Sequence, residues 1–546
     1  MAAAQAPYRE WQGIPVDQSI LSTIEPAFRT AYKRVIEEGG DRVCFTHYAA
    51  DGRRVVKTFK ELDQDVRKAR QCLRAHAPDK KAIATIAGNS YDHVVFIFAI
   101  LVEGYSLCPI NPEDDPVRIQ TKCKQLGDSL AIWAEAPEAI KTSGLEVRDI
   151  KEWRDFNEAA DDPERPRGKH PFIMVFTSGS TGHSKVVQQS EYSVLVGCEG
   201  LIRHHQLKPG VVLGTPLPVF HVNALQFGLL TIFLAGGHVV LFEKFSPVQL
   251  LEKSASEKVE ILSLIPPVIS ALVRWYPRVS VDLTSLRYAV SAAAPLSVDL
   301  AREAAEVLPF KIVQGYGLSE AVNFSATMPI DLSPEEHSYW MTSFDRPSIG
   351  VSLFGCEIHV LSPTGEPVAE REQGEICLRG HTLMAGYLGH SESETFKNGY
   401  FPTGDLGYYV RDKNGRRFYF INGRVKDVIK RFGMTVSLRE VDEWVARYRH
   451  EGFAAISVGF EHDISGEEVG LVVESGTAGD VGELKTFLET VPLTLRPKVV
   501  LFTNESVRTA SGKPCRWKFK PLFQPFKSRI IPAEAVLIVE DGPGAK

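Results

Sequence analysis

Phe176-Thr177-Ser178-Gly179-Ser180-Thr181-Gly182-His183-Ser184-Lys185 is the stretch on which the fold turns. Six consecutive small or hydroxyl residues, Thr177 to Gly182, follow the apolar run Ile173 to Phe176, and the segment ends at a lysine. A strand that empties into such a loop gathers free backbone N–H groups, hydroxyl donors and one ammonium, which together make a nest for phosphate oxygens. The spacing is not that of a Walker loop, since Gly182 lies three residues before Lys185 and Val186 follows it. Nor is it a hydrolase nucleophile elbow, because Ser178 stands at the first glycine of G-x-S-x-G. Taken alone, the segment also reads as a Ser/Gly linker, although linkers seldom begin at a strand and end in a lysine.

Four more segments carry chemistry. Gln314-Gly315-Tyr316-Gly317-Leu318-Ser319-Glu320 follows the predicted strand Phe310 to Val313, and Glu320 occupies the place of the third glycine of a dinucleotide fingerprint. The expectation is a tight turn that presents a ring, a hydroxyl and a carboxylate, suited to a base, a phosphate and a divalent cation. A turn with Tyr316 in the core is an equal reading. Thr403-Gly404-Asp405 puts a carboxylate after a glycine turn, where it can accept from two vicinal hydroxyls such as those of a ribose. Gly423 to Gly433, rich in charge, reads by itself as a solvated strand, and Arg508-Thr509-Ala510-Ser511-Gly512-Lys513 as a surface loop.

The 546 residues allow two to four domains with large cores, and the apolar fraction of 44% with 24% charged residues is that of a globular chain. A net charge of −6 without a long basic run excludes nucleic acid as the main partner, since phosphate neutralisation needs concentrated positive charge. The eight cysteines show no CxxC pair or zinc spacing and read as reduced and structural. Val94 to Val102 is too short to cross a bilayer, and Ala224 to Phe242 reads as a buried helix over 223–235 followed by a strand over 238–242. No secretory leader is expected from Met1 to Arg9, and the cytoplasm is the expected location.

Apolar runs alternate with helical patterns through most of the chain: strands at Lys81 to Ile86 and Ser106 to Ile110 flank a helix at Asp92 to Glu103. This alternation predicts parallel sheets covered on both faces. From about Gly350 the texture changes to short strands and turns, a β-rich subdomain. After Gly423 the alternation restarts, with a helix over Leu438 to Arg447 and a strand at Ala454 to Val458.

In this order and spacing the five segments resemble the adenylate-forming superfamily of acyl-CoA synthetases, luciferases and adenylation domains, from about Phe45 to Arg516. Pro218 to Leu225, Gln314 to Glu320, and Gly374 to Gly380 through Met384-Ala385-Gly386-Tyr387-Leu388 are similar to 4-coumarate and fatty acyl-CoA ligases. The resemblance implies an α/β fold: a large N-terminal AMP-binding domain, 1–425, with two doubly wound subdomains and a β-rich one, and a small α+β lid, 427–546. Lys426 is the implied hinge and Gly433 flanks the implied thiol tunnel.

The residue roles are implied likewise. Thr177, Ser178, Gly179, Ser180, Thr181, Gly182 and Lys185 would hold the β- and γ-phosphates. The segment Ser291 to Pro295, with Ala293, and Tyr316 would bracket adenine, with Gln314, Gly315, Gly317, Ile421 and Arg424 also on the nucleotide. Ser319 would touch the α-phosphate, Glu320 bind Mg²⁺, and Asp405 accept from the ribose. His221, Val222, Asn223, Ala292, Gly315 and Val322 would line the acyl pocket, and Lys513 would bridge the substrate carboxylate and the α-phosphate. His221 stands where amino-acid-activating relatives carry an aspartate, so an acid without an α-ammonium and with an apolar body is favoured.

The expected reaction uses ATP and Mg²⁺ to form an acyl-adenylate and then transfers the acyl group to coenzyme A. The alternatives are an amine acceptor, a separate carrier-protein thiol, or a non-catalytic nucleotide-binding relative. Ser184 and Val186 depart from the usual proline and glycine around the loop lysine, Ser319 replaces a threonine, and Ala292 adds a methyl where glycine is common.

Overall fold

Beside a two-stranded pair, Glu10–Trp11 with Ile14–Pro15, the predicted alternation builds two large sheets, a small antiparallel sheet and a separate C-terminal sheet. The computed structural model of the chain describes residues 10–11, 14–15, 27–141, 146–158, 170–177, 185–432, 434–448, 450, 452–477, 479–509, 512, 514–532 and 535–539. Ser178, Gly179, Ser180, Thr181, Gly182, Gly433 and Lys513 lie outside the described residues.

The first sheet orders its strands Gly386–Tyr387, Lys185–Gln189, Ile173–Thr177, Ser106–Ile110, Ala82–Ile86, Leu130–Ala134 and Arg148–Asp149. From Ile173–Thr177 onward the pairing is parallel, while Lys185–Gln189 is antiparallel to both neighbours. Ala82–Ile86 and Ser106–Ile110 are buried at every residue, as a strand covered on both faces must be. The intervening helix Tyr91–Glu103 is also buried all round; the Ser90 side chain caps its first turn and Gly104, at φ 93°, ends it in the left-handed conformation.

The second sheet runs Val351–Ser352, Asn323–Thr327, Lys311–Leu318, Tyr288–Ser291, Ile261–Leu264, Val212–Thr215, His238–Phe242, Val43–Tyr48 and Arg54–Thr58. Its interior is parallel, and antiparallel strands close it at both ends. Parallel sheets covered by helices were the expectation; hairpin returns at the margins make both sheets mixed. Cys356–Leu361, Gly374–Gly380, Phe401–Arg411 and Arg417–Arg424 form the third, antiparallel sheet. The fourth, built within 428–539, has apolar clusters of its own around Val441, Leu484 and Phe523. Arg346 pairs with Glu443 at 2.9 Å and Arg439 donates to the Ile421 carbonyl at 3.2 Å, which holds the helix Leu438–Val445 against the third sheet.

Two local expectations are corrected. The strand Lys311–Leu318 does not stop at Val313 but runs through Gly315 and Gly317, and only then does a 3-10 turn, Ser319–Ala321, reverse the chain. The glycines are there for close pairing: a Cβ on Gly317 would lie 1.5 Å from the Asn323 carbonyl oxygen, and one on Gly315 would lie 2.5 Å from the Phe324 ring. The predicted helix over 223–235 is a π-helix, Asn223–Thr231, followed by a short α-helix, Ile232–Leu234. All nine π-helical residues are buried, so the apolar pattern carries no signal that separates a wide turn from an α-turn. All eight cysteines are buried. Among the described residues, no helix is long and apolar enough to cross a membrane.

Candidate active site

Thr177 and Lys185, the two ends of the Ser/Gly segment, face each other as cross-strand partners, and the Thr177 hydroxyl reaches the Lys185 carbonyl at 3.4 Å. The intervening residues therefore connect an antiparallel pair at a sheet margin. Lys185 is exposed, and its ammonium sits over the Tyr387 ring, 4.4 Å from the centroid. Tyr387 lies on the neighbouring strand, opposite Val187, and its hydroxyl donates to Oε1 of Glu320 at 2.7 Å. Burial and the Glu320 charge push the Tyr387 phenol up, so at neutral pH it is a donor.

The turn that carries Ser319 and Glu320 is strained. Val322 sits at φ +61° and Asn323 at φ +135°, and a β-branched residue in the left-handed region costs roughly 1–3 kcal/mol. Three contacts hold it: Gln189 Nε2 donates to the Ser319 carbonyl at 2.8 Å, the Met384 N–H to the Glu320 carbonyl at 2.7 Å, and Tyr387 to the Glu320 carboxylate. Gln226, on the π-helix, in turn donates to the Gln189 amide oxygen at 2.9 Å.

At the other end of the same segment, the Tyr316 hydroxyl donates to Oδ2 of Asp405 at 2.6 Å, and Arg424 Nε donates to Oδ1 at 3.0 Å. Asp405 and Arg424 are cross-strand partners in the third sheet. Gly404 reaches this geometry at φ +73°; its N–H is taken by Glu375 at 3.0 Å, and the Asp405 N–H donates to the Thr403 hydroxyl at 3.0 Å. Burial first, and then the Asp405 charge, push the Tyr316 phenol well up, and the same carboxylate holds Arg424 above its ordinary value. Asp405 is 6% exposed.

Ser291 and Gln314 are register partners at the ends of adjacent parallel strands, and Ser291 Oγ and Gln314 Oε1 are buried without a hydrogen bond. Ala292 is buried beside them, and Ala293 is exposed at φ +66°. Gly315 is buried, Gly317 and Ser319 half-buried. These strand ends, with unpaired acceptors beside a left-handed turn, suit the edge of a heterocyclic base. Ile421 is half-buried on the strand Arg417–Arg424, and Lys426 lies in the 3-10 turn Val425–Asp427 that leaves it.

His221 is exposed, Val222 half-buried, and Asn223 buried with neither side-chain polar atom paired. The approach to this stretch is anchored by Asn89, whose amide donates to the carbonyls of Leu217 and Phe242 at 3.0 and 2.9 Å and accepts from the Val219 N–H at 2.9 Å. Val322 forms another apolar surface, 3.2 Å from where a Cβ on Gly197 would lie. Asn89, Gln189 and Gln226 have no motif around them; only their buried amides, visible in three dimensions, mark them. Tyr387 stands within a quoted motif, yet its spacing shows no contact to Glu320.

The described members thus gather in two poles on one segment: Lys185, Tyr387 and Glu320 at one, Tyr316, Asp405 and Arg424 at the other. Glu320 fits a hard cation, since oxygen donors are what such an ion takes and, among the described residues, Oε2 accepts no hydrogen bond.

A family model described as AMP-binding enzyme matches residues 32–388. A feruloyl-CoA synthase from Amycolatopsis sp is 31% identical over 369 residues, 65% of this chain and 71% of that protein. A 4-coumarate–CoA ligase from Oryza sativa subsp. japonica is 25% identical over 548 residues, 93% of this chain and 94% of that one. In fold, the o-succinylbenzoate CoA synthetase of Bacillus subtilis in complex with its acyl-adenylate intermediate is similar at a TM-score of 0.76 and 22% identity, covering 90% of this chain and 97% of that one. The chain belongs to the AMP-binding enzymes, on the acyl-CoA synthetase-like branch of the adenylate-forming superfamily.

Proposed function

We propose that the protein activates a carboxylic acid without an α-ammonium, with a largely apolar body, to an acyl-adenylate at the expense of ATP, and transfers the acyl group to the thiol of coenzyme A. The observation that carries this reading is the pairing of two poles on one segment. Asp405 has one donor on each oxygen, and each oxygen keeps a second lone pair for a ribose hydroxyl. At the other pole, Glu320 and Lys185, which meet through Tyr387, offer opposite charges for a metal-bound polyphosphate. Ala293, Gln314 and Tyr316 would bound the base between them, and Thr177 with the 178–182 loop would face the phosphates. Glu320 would hold Mg²⁺, which supplies charge neutralisation on the phosphate oxygens when bound.

The chemistry asked of the chain is positioning and electrostatics. Bringing a carboxylate onto a phosphate joins two anions, so cations placed where charge concentrates lower the barrier. Lys185 would serve the departing pyrophosphate, Ser319 the α-phosphate, and Lys513 the attacking carboxylate. His221, Val222, Asn223, Ala292, Gly315 and Val322 would shape the acyl pocket. A boundary at Lys426, between 1–425 and 427–546, would let the smaller part exchange Lys513 for the stretch around Gly433, so that one site runs both half-reactions.

ATP–pyrophosphate exchange with a panel of aliphatic and aromatic acids, followed by mass spectrometry with coenzyme A, tests the reading. Exchange with an acid and formation of its thioester are expected; exchange without consumption of coenzyme A supports an amine or carrier-protein acceptor instead. Lys513→Ala is expected to lower exchange by about 10² to 10³ and to spare thioester formation from a preformed acyl-adenylate. Undiminished exchange sinks the role given to Lys513.

A further inference from the structure

Tyr387 touches both charged groups of the metal–phosphate pole, through different parts of its side chain. Its hydroxyl donates to Oε1 of Glu320 at 2.7 Å, and its ring face carries the Lys185 ammonium at 4.4 Å from the centroid. The strand bearing it, Gly386–Tyr387, is fixed to Lys185–Gln189 by the Ala385 N–H on the Gln188 carbonyl at 2.8 Å and the Leu388 N–H on the Val186 carbonyl at 2.9 Å. The same stretch supplies the Met384 N–H to the Glu320 carbonyl at 2.7 Å. One short piece of chain therefore holds the strained Ser319–Asn323 turn by its backbone and orients the carboxylate upon it.

We propose that Tyr387 is the positioning residue of this pole: its hydroxyl fixes the Glu320 carboxylate so that Oε2 meets the metal, and its ring parks the Lys185 ammonium within reach of the phosphates without letting it neutralise Glu320. The inference rests on the nucleotide-activating reading above and deepens it. Free to rotate, an ammonium and a carboxylate that touch the same tyrosine would pair directly, and the pair would compete with both ligands. A hydrogen bond on one side of the phenol and a cation–π contact on its face keep the two apart.

The two functions separate by substitution. Tyr387→Phe removes the hydroxyl and keeps the ring; Tyr387→Leu removes both. With Mn²⁺ as the metal probe, electron paramagnetic resonance titration in the presence of ATP reads the metal affinity directly, and ATP–pyrophosphate exchange gives KM for ATP and kcat alongside. Tyr387→Phe is expected to weaken Mn²⁺ about tenfold and to leave KM for ATP within about twofold at saturating metal, a step the size of one charge-assisted hydrogen bond. Tyr387→Leu is expected to lose the same metal affinity and also to raise KM for ATP several-fold. In a Glu320→Gln background, Tyr387→Phe is expected to change Mn²⁺ affinity no further. If the wild type exchanges pyrophosphate and Tyr387→Phe binds Mn²⁺ as tightly as it does, the positioning role is overturned while the nucleotide-activating reading stands. A wild type with neither exchange nor ATP-dependent Mn²⁺ binding overturns both.

Discussion

Two tyrosine–carboxylate pairs sit at opposite ends of the segment Gln314–Glu320, with nearly the same hydrogen-bond length and opposite electrostatic outcomes. At Tyr316–Asp405 the donor–acceptor distance is 2.6 Å, and the nearest cation, Arg424, bonds the carboxylate itself at 3.0 Å. At Tyr387–Glu320 the distance is 2.7 Å, and the Lys185 ammonium lies over the tyrosine ring, 4.4 Å from its centroid. The first carboxylate is compensated where it stands and suits a neutral diol. The second has no cation bonded to its oxygens among the described residues and suits one. A tyrosine that donates to a carboxylate orients it without neutralising it, so what separates the two poles is where the positive side chain is allowed to rest.

Asp405→Ala tests the compensated pole with the largest expected effect. It strips two donors of their acceptor in a nearly buried place and removes the proposed ribose contact, so kcat/KM for ATP in pyrophosphate exchange is expected to fall by roughly 10² to 10³, since each hydrogen bond to a charged group is worth about 1.5–3 kcal/mol. An effect on thermal stability with unchanged kinetics would break the comparison, because Asp405 would then be part of the scaffold alone.

Glu320→Gln tests the uncompensated pole. The amide keeps a carbonyl acceptor for Tyr387 but loses the charge, so the metal concentration for half-maximal exchange is expected to rise about 10- to 100-fold. Unaltered metal dependence would show that the charge left on Glu320 serves another purpose. Tyr316→Phe carries the smallest effect of the three: one donor is lost while Arg424 continues to hold Asp405, and KM for ATP is expected to rise roughly tenfold. A larger rise than that of Asp405→Ala would place the main role of Tyr316 in its ring against the base.

Much of this was legible in the chain. The strands at Ser106–Ile110 and His238–Phe242 and the helix at Tyr91–Glu103 fall where short apolar runs and helical spacing put them, because a doubly covered parallel sheet leaves an uninterrupted apolar trace. The segment 314–320 was misread as geometry: glycines that look like a turn are there to let Asn323 and Phe324 pack against the strand. The π-helix Asn223–Thr231 left no trace for the same reason that its neighbours are buried on every side.

Sequence alone determined the alternation of strands and helices and the family resemblance, since propensity, periodicity and motif order are written locally. Only the tertiary structure decided which of those residues touch. Tyr387 reaches Glu320 across 67 positions and Tyr316 reaches Asp405 across 89. Such pairings are set by strand register and by a backbone bent through positive φ at Val322 and Asn323, and hydrogen bonds of that separation leave no periodicity along the chain.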